Sequence, residues 1–296
     1  MKTFITFADS RMSDVLERIQ RQATSICFFD EVKTYTEMSL DSDFRHKYKN
    51  QLSKSVRGFG YWCWKSHLIQ KELSRLPEGS HLYYCDAGCH INPRGIARLH
   101  EYDEILASSP TGIVAFEIDY LERQWTKGDI FSHFGIKERD DIVNSNQIQA
   151  TIILIRKCKS SVDFVNEWIK TWEDNFSLID DTPSSSPNFP DFIENRHDQS
   201  IFSVLGKLYG ITLLSYKEIE PPVDVVKNIE AWQKLKDSPI LAMRDRYCTK
   251  AYLRKLKRYK ILARLPLGAI SKKYKKKLEK AYSTNPGLMN PPPYLQ

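Results

Sequence analysis

The chain has 296 residues, of which 41% are hydrophobic, 12% aromatic and 27% charged. This composition can bury a substantial core, so it excludes a disordered, collagen-like or simple coiled-coil chain. No run reaches the roughly 18 apolar residues of a membrane span, and a polar break comes too early for a signal peptide, so the sequence predicts a soluble cytoplasmic protein.

The net charge of +7 is distributed unevenly along the chain. Residues 244–280 carry 15 Lys or Arg side chains against Asp245 and Glu279. Residues 1–243 hold the remaining 29 basic and 35 acidic side chains and are mildly acidic. We therefore divide the chain into a domain over residues 1–243 and a basic tail over residues 244–296.

Short apolar runs alternate with helical patterns in the first part of the chain. The apolar runs predict strands at residues 3–8, 25–29, 82–85, 113–117, 151–155 and 211–214. Apolar residues at helical spacing predict helices over residues 12–23, 64–76, 162–172 and 201–208. Strands that alternate with helices in this way predict an α/β domain with helices on both faces of a central sheet.

Three carboxylates are expected near one rim of this sheet. Asp9 follows the first predicted strand and Asp86 follows the third. Asp198 precedes the last predicted helix and comes after a Pro-, Ser- and Asn-rich segment at 180–196, which we interpret as a long surface loop or lid. Ligands bind beside the carboxyl ends of the strands in sheets of this kind.

The first cluster that could carry chemistry is Asp86 with Ala87 and Gly88, directly after a buried strand. A carboxylate there can hold a hard divalent cation, and the small neighbours let a diphosphate approach the backbone. The alternative is an Asp that only starts a turn before Gly88.

The second cluster, residues 57–65, places two glycines and an aromatic group before Lys65 at the start of a helix. A helix N-terminus beside a lysine binds anions, and aromatic faces pack on bases and sugar rings. The alternative is that Trp62 and Trp64 only anchor the helix in the core.

The third cluster, residues 195–200, has Arg, His, Asp and Gln at four consecutive positions immediately before a helix. Such a density of polar side chains after a long loop indicates a site. The alternative is that Asp198 or Ser200 only caps the helix, because Asp and Ser are common at helix N-termini.

In the order of its segments the chain resembles nucleotide-sugar glycosyltransferases of the GT-A type, in particular bacterial enzymes of capsule, O-antigen and lipooligosaccharide biosynthesis. The likeness covers roughly residues 3–216. It rests on the segments TFADS, GFGYWCWK, LYYCDAG, ERQWTKGDIF, QIQATIILIRK and NRHDQSIFSVLGKLYGITLLS. HDQS at residues 197–200 is similar to the H-D-E/Q-S region of retaining galactosyltransferases. The chain departs from those families at Asp86-Ala87-Gly88, where they usually carry Asp-x-Asp.

The resemblance implies a single GT-A (Rossmann-like) α/β domain with a mixed central sheet. It implies a retaining hexosyltransferase that moves a sugar from UDP to a hydroxyl of a surface glycan or a lipid-linked acceptor. With it we assign Asp198 and Gln199 as catalytic residues and Asp86 as the ligand of a divalent cation, Mn²⁺ or Mg²⁺. The predicted donor-binding residues are Asp9, Ser10, Lys65, Asp86, Gly88 and Gln149. The predicted acceptor-binding residues are Trp125, Lys127 and His197.

In the tail, apolar residues recur at helical spacing among Lys and Arg on either side of Pro266. This pattern predicts two short basic amphipathic helices, which can bind the interface of an anionic membrane. The sequence thus predicts peripheral association with the inner membrane, close to a lipid-linked acceptor. The alternative is that the apolar stripes pack on the domain.

Two other functions compete with sugar transfer. Polybasic segments with interleaved tyrosines bind nucleic acid, but the acidic domain offers no extended basic face, so we expect no nucleic-acid partner. The other is a noncatalytic sugar-binding module, although three separate polar clusters are more than such a module needs.

Overall fold

The computed structural model describes residues 1–220, 235–245, 250–265 and 268–284. The strands of the central sheet are β1 Lys2–Phe7, β2 Glu31–Tyr35, β3 His81–Cys85, β5 Ile113–Leu121, β6 Asn146–Arg156 and β7 Thr212–Ser215. They lie in the order β2-β1-β3-β6-β5-β7. A second sheet pairs β4 His90–Ile91 with β8 Ile240–Leu241.

Helices connect and flank these strands. The longer ones in the domain are α1 Ser13–Ser25, α4 Trp64–Arg75, α5 Ile96–Ser108, α9 Lys159–Asp174 and α10 Asp198–Tyr209. Shorter ones are α2 Ser42–Lys47, α3 Gly58–Tyr61, α6 Glu122–Trp125, α7 Gly128–His133 and α8 Asp140–Val143. Single 3-10 turns occur at Ser10–Met12, Glu37–Ser39, Pro93–Gly95, Phe176–Leu178 and Tyr216–Glu218. The tail contains α11 Lys250–Arg264 and α12 Gly268–Thr284.

The direction of the strands makes the sheet mixed. β1 is parallel to β2 and β3, and β5 is parallel to β7, whereas β6 is antiparallel to β3 and β5. The carboxyl ends of β1, β3 and β5 therefore share one edge with the amino-terminal half of β6. Cys85 pairs with Ile152 in this register, so Asp86 and Gln149 both lie at that edge. The predicted α/β domain with a mixed central sheet is confirmed.

Each face of the sheet is covered by its own apolar cluster. Residues of α4, α9 and α10, such as Ile69, Trp168 and Phe202, belong to one cluster. Residues of α1 and α5, such as Ile19 and Leu99, belong to the other. The prediction of helices on both faces is confirmed.

The predicted strand at residues 25–29 is wrong. Ser25 ends α1, and Cys27 has φ 52, which breaks an extended conformation. Phe28 and Phe29 pack their rings on Tyr83 at centroid distances of 5.7 and 5.2 Å, so their apolar character serves packing instead of strand pairing. The actual strand, β2, follows at the edge of the sheet.

The two predicted helices of the tail are confirmed over the described residues. They lie antiparallel, with the rings of Tyr259 and Tyr274 5.4 Å apart and Ser271 Oγ donating to the Ala263 carbonyl. Pro266, at the predicted break, lies outside the described residues. Among the helices described, none is long and apolar enough to cross a membrane.

Residues just beyond the predicted domain boundary contact the domain. The Asp245 carboxylate lies 2.7 Å from Nε2 of the buried His90, and its backbone N–H donates to the Gly88 carbonyl. The division at residue 243 therefore separates two residues, Arg244 and Asp245, from the domain surface on which they pack.

Candidate active site

A buried lysine lies between the two carboxylates that the sequence singles out. Lys65, in the first turn of α4, places Nζ 2.9 Å from Asp198 Oδ2 and 3.5 Å from Asp86 Oδ1. Nζ also donates to the Ala150 carbonyl at 3.0 Å. Lys65 and Asp198 are buried, whereas the Asp86 side chain is 33% exposed. Asp86 and Asp198, expected near one rim, thus share one cation.

Electrostatics favour the charged form of this group at neutral pH. Burial raises the pKa of Asp198 to about 6, and the nearby Lys65 ammonium opposes that rise. Burial acts to lower the pKa of Lys65, but the charges of Asp198 and Asp86 outweigh it, so this pKa is raised. Asp86 also accepts a hydrogen bond from the Tyr84 hydroxyl at 2.6 Å, which fixes its orientation.

Asp198 starts α10 without capping it. The residue at the cap position is His197, with φ 57 and ψ −126, a conformation that residues other than Gly rarely adopt. The Asp198 carboxylate turns to Lys65 instead. The alternative role of Asp198 as a helix cap is therefore replaced by that of a buried ion-pair partner.

His197 is buried under the loop at 180–196. Its Nδ1 lies 2.6 Å from the Ile179 carbonyl, and its ring packs on those of Tyr61 and Trp62 at 5.1 and 5.5 Å. Burial lowers the pKa of His197, so the neutral ring donates from Nδ1 to this carbonyl. With the loop in this position, His197 offers no open surface for the predicted acceptor contact.

A chain of hydrogen bonds orients the Gln199 amide. Gln199 Nε2 donates to Gln147 Oε1 at 2.8 Å, and its Oε1 accepts from the Ala150 N–H at 3.4 Å. Gln147 in turn donates to Glu122 Oε2 and Thr126 Oγ1 at 3.2 and 2.9 Å. Gln147 is fully buried and Gln199 half-buried. Gln147 therefore orients Gln199, part of whose surface stays exposed.

Gln149 lies two residues further along β6, paired with Phe116. It is buried, yet neither its Nε2 nor its Oε1 has a hydrogen-bond partner within the described part of the chain. Buried amides are nearly always bonded, because an unpaired polar group away from water is costly. Gln149 thus has a donor and an acceptor that the fold does not use.

The second cluster forms a left-handed turn. All five residues from Gly58 to Trp62 have positive φ, between 52° and 95°. A Cβ on Gly58 would lie 2.4 Å from the Trp62 ring, so this position excludes any side chain. Trp64 is buried and stacks on Phe7 at 3.9 Å, as its core alternative predicts. The turn brings the start of α4, and with it Lys65, to the sheet edge.

The space beside Gly88 is taken by the chain itself. A Cβ on Gly88 would lie 3.1 Å from the Arg244 backbone. The absent side chain of Gly88 therefore admits the backbone of residues 244–245 on this side, and the predicted approach of a diphosphate stays a prediction. From the other side, the guanidinium of Arg18 donates to the carbonyls of Ala87 and Cys89, both at 2.9 Å.

Asp9 and Ser10 form a separate group at the end of β1. The Asp9 carboxylate accepts from the Arg11 backbone and guanidinium at 2.5–2.9 Å, and Arg11 lowers its pKa. Ser10 donates its N–H to Glu37 and accepts from Lys54 Nζ. The polar atoms of this pair thus already have partners within the chain. Its predicted role in binding the nucleotide-sugar donor stays a prediction.

Trp125 is partly exposed at the rim of the site. The Arg196 guanidinium lies 4.0 Å above its ring, and the Tyr120 ring is 4.9 Å away. Such an aromatic surface can stack on a sugar ring. The predicted acceptor role of Trp125 therefore stays a prediction with a suitable surface.

The predicted acceptor contact of Lys127 is wrong. Lys127 is buried, and its Nζ donates to the carbonyls of Ser177, Asp180 and Thr182 at 2.5–3.0 Å. An ammonium has three N–H donors, so none remains for an acceptor or a phosphate. Lys127 holds the start of the long loop instead.

The loop at 180–196 lies on the surface and contains neither helix nor strand. Its far end donates from Ile193 and Arg196 N–H to the carbonyls of Gln124 and Trp125. Its middle is held by Asp129, which accepts from the N–H groups of Ser185 and Ser186. The surface location is confirmed, and the lid role stays a prediction.

The residues around Asp86 do not fit the predicted divalent cation. Over the described ranges, no group of three or more His, Cys, Asp or Glu side chains is placed to hold a metal ion. Hard cations need several oxygen ligands. Gly88 stands at the position of the second Asp in Asp-x-Asp, and the Lys65 ammonium already lies between Asp86 and Asp198.

Comparison with known proteins gives likeness in backbone only. No family model and no curated protein matches the chain. A glycosyltransferase involved in glycosylation of the major capsid of PBCV-1 is 12% identical, with 86% of this chain and 96% of that chain covered and a TM-score of 0.47. Mouse xyloside xylosyltransferase 1 is 9% identical, with 82% of this chain and 97% of that chain covered and a TM-score of 0.44. Galactosyltransferase LgtC, solved with donor and acceptor sugar analogs, is 13% identical, with 84% of this chain and 88% of that chain covered and a TM-score of 0.42. Because these identities and TM-scores are low, the activity of this chain has to be inferred from the geometry of its own site.

Proposed function

We propose that this chain is a glycosyltransferase that moves a hexose from a nucleoside diphosphate, UDP, to a hydroxyl of a surface glycan or lipid-linked acceptor, with retention. The observation that carries the proposal is the group at the sheet edge: Lys65 between Asp86 and Asp198, with the oriented Gln199 amide beside it. Such a group suits sugar transfer, because charge separates between the sugar and its leaving diphosphate.

Gln199 is the residue that we place at the anomeric carbon. That carbon develops positive charge as the bond to the diphosphate breaks, and an amide oxygen or a carboxylate stabilises it. Gln199 is half-buried, whereas Asp198 is buried and paired. Asp198 therefore acts on the site through Lys65, and the Gln199 oxygen faces the donor.

Donor and acceptor contacts follow from two further side chains. The unpaired amide of Gln149 supplies a donor and an acceptor for hydroxyls of the donor sugar. The exposed part of the Trp125 ring supplies a surface on which the acceptor sugar stacks. Ligands that fill these positions satisfy polar groups and cover aromatic area that the free chain leaves open.

We also propose that the tail brings the enzyme to the cytoplasmic face of the inner membrane. Four cations line a groove of about 510 Å³ between α11 and α12, together with Tyr259 and Tyr274. They are Arg254, Lys255, Arg258 and Lys277. Cationic helices of this kind are attracted to anionic lipid, with each nearby cation contributing on the order of 1 kcal/mol.

Exposed apolar side chains near the end of α11 and the start of α12 favour a membrane over nucleic acid. Ile261, Leu265 and Ile270 are 57%, 36% and 45% exposed. Nucleic acid offers phosphate to the cations but no apolar phase for these side chains, whereas a bilayer offers both. We therefore keep nucleic acid as the competing outcome.

The test is a ligand panel followed by a transfer assay. We expect UDP to raise the melting temperature more than GDP or ADP, and UDP-hexoses to be consumed when an acceptor glycan is added. Asp86→Ala is expected to abolish transfer and keep the fold, since Asp86 is partly exposed. Stabilisation by single-stranded or duplex nucleic acid with none by nucleotides would contradict the proposal. Sugar binding without transfer would favour the competing function, a noncatalytic sugar-binding module.

A further inference from the structure

We propose that fixed cationic side chains, with Arg244 foremost, bind the diphosphate of the donor, so that this site works without a divalent cation. The inference rests on the proposed function, because it names what holds the diphosphate in that same site. It gives Arg244 a role in the site, although the charge pattern of the sequence places this residue in the tail.

The backbone of Arg244 is built into the edge of the site. Arg244 has φ 54, in the left-handed region that residues other than Gly rarely occupy. Its Cα lies 3.1 Å from where a Gly88 Cβ would be, so it packs directly on the turn that follows Asp86. Such backbone strain persists only where the surroundings hold it, and it is common at functional sites.

The next residue holds this segment in place. Asp245 donates its N–H to the Gly88 carbonyl at 3.1 Å and places its carboxylate 2.7 Å from His90 Nε2. The Arg244 side chain, in contrast, is 59% exposed and contacts Glu220 at 2.6 Å. A fixed backbone beside the turn that follows Asp86 thus carries an accessible guanidinium.

Two more guanidiniums meet at one carboxylate. Arg57 and Arg196 both lie 3.3 Å from Glu194. Burial lowers the pKa of Arg196, and the positive charges of Arg244 and Arg57 add to that effect, so both charges act on Arg196. Arg196 Nε is buried and has no hydrogen-bond partner among the described residues.

The balance of charge in this arginine cluster, Arg57, Arg196 and Arg244, favours an anion. Three guanidiniums share two carboxylates, Glu194 and Glu220. Guanidinium groups bind phosphate through paired, charge-assisted hydrogen bonds. A diphosphate would pair with the cation that these ion pairs leave in excess.

Isothermal titration of the full-length chain tests the inference. UDP, GDP and ADP are titrated first in EDTA and then with Mn²⁺. We expect one of them to bind in EDTA, with a Kd that changes less than about threefold when Mn²⁺ is added. Arg244→Gln is expected to weaken that binding at least about tenfold, with an unchanged melting temperature.

Arg139→Gln is the matched control. Arg139 is 54% exposed and contacts Asp141 at 2.6 Å, so it resembles Arg244 in exposure and pairing but lies outside the cluster. This variant should bind like the wild type. Arg196→Gln provides a second variant within the cluster, expected to weaken binding in the same direction as Arg244→Gln.

Three results would overturn the inference. Binding that requires Mn²⁺ would do so and leave the proposed function standing. Binding in EDTA that neither Arg244→Gln nor Arg196→Gln weakens would remove the arginine cluster from the diphosphate site. Failure of every nucleoside diphosphate to bind, with or without Mn²⁺, would overturn the inference and the proposed donor together.

Discussion

The ammonium of Lys65 lies 2.9 Å from the carboxylate of Asp198, and both side chains are buried. This ion pair joins the first turn of α4 to the first residue of α10 at the edge of the sheet. A buried charge that loses its partner is strongly destabilising, because neither water nor an opposite charge then compensates it.

We therefore predict that Lys65→Met lowers the free energy of unfolding by about 3 kcal/mol at neutral pH. The loss arises because Asp198, without its cation, either keeps an unpaired buried charge or takes up a proton. Urea denaturation measures it. Lys159→Met is the control, since Lys159 pairs with Asp163 on the surface and an exposed pair contributes little. Equal losses in the two variants would contradict the role of the buried pair.

The effect of Lys65→Met should depend on pH. Burial raises the pKa of Asp198 from an ordinary 3.8 to about 6 in the folded chain. A carboxyl whose pKa is higher in the folded state binds its proton more tightly there, so its contribution to the free energy of unfolding falls as pH rises from about 4 to about 6.

Without Lys65 this pKa is higher still, because the cation that lowers it is gone. We therefore expect the stability gap between the wild type and Lys65→Met to be largest above about pH 7 and to shrink as pH falls towards 5. Urea denaturation at three pH values checks this. A gap that stays constant, or one that widens in acid, would show that Asp198 does not titrate in this range.

The left-handed turn predicts a second stability effect. Gly58→Ala places a Cβ 2.4 Å from the Trp62 ring in a backbone with φ 60. Gly79 also has positive φ, 78, but a Cβ added there would meet no heavy atom within 4 Å, so Gly79→Ala isolates the cost of the backbone. We expect Gly79→Ala to cost about 1 kcal/mol and Gly58→Ala roughly 2 kcal/mol more. Equal losses in thermal and urea denaturation would contradict the clash.

The sequence pattern predicts the central strands and the edge strand β7 well, and the other edge strand, β2, badly. β3 and β6 are buried on both faces and read as apolar runs, whereas β2 has the sequence EVKTY and is only partly buried. Edge strands often carry charges, which discourage pairing with other chains. The apolar run at 25–29 belongs to side chains that cover α1 and β3 from outside the sheet.

Some residues of the candidate site can likewise be predicted from the sequence, and others cannot. Asp86 and Asp198 are predictable because strand and helix ends meet at one edge of an α/β sheet. Lys127 is not, because its three carbonyl partners lie in a loop far along the chain. Arg244 is missed for a similar reason: its contact with Gly88 depends on tertiary structure, and its charge matches that of the tail.

Gln199→Ala should affect turnover and leave stability nearly unchanged. Gln199 is half-buried, and its partner Gln147 keeps other hydrogen bonds, so little stability depends on it. We expect kcat to fall by more than about tenfold, or roughly 1.4 kcal/mol of barrier. Gln70→Ala, on the exposed face of α4, is the control and should keep full activity. A loss of melting temperature with unchanged kcat would make Gln199 structural.

The charge of the tail and its exposed apolar side chains can be tested separately for their contributions to membrane binding. We expect the full-length chain to sediment with vesicles containing anionic lipid at low salt and to be released as salt rises, because the attraction is screened within about 8 Å at physiological ionic strength. Replacing four exposed lysines of α12 with Gln should abolish binding at physiological salt. These lysines are Lys272, Lys273, Lys275 and Lys276.

Substitution of the exposed apolar side chains near the end of α11 and the start of α12 should act differently. Ile261→Ser with Ile270→Ser removes the groups that enter the bilayer, so binding should weaken at every salt concentration while its salt dependence stays the same. Leu213→Ser is the control, since Leu213 is 39% exposed but lies in β7. If the wild type ignores anionic vesicles at low salt and shifts RNA in a gel instead, the cations of the tail serve nucleic acid and the membrane proposal fails.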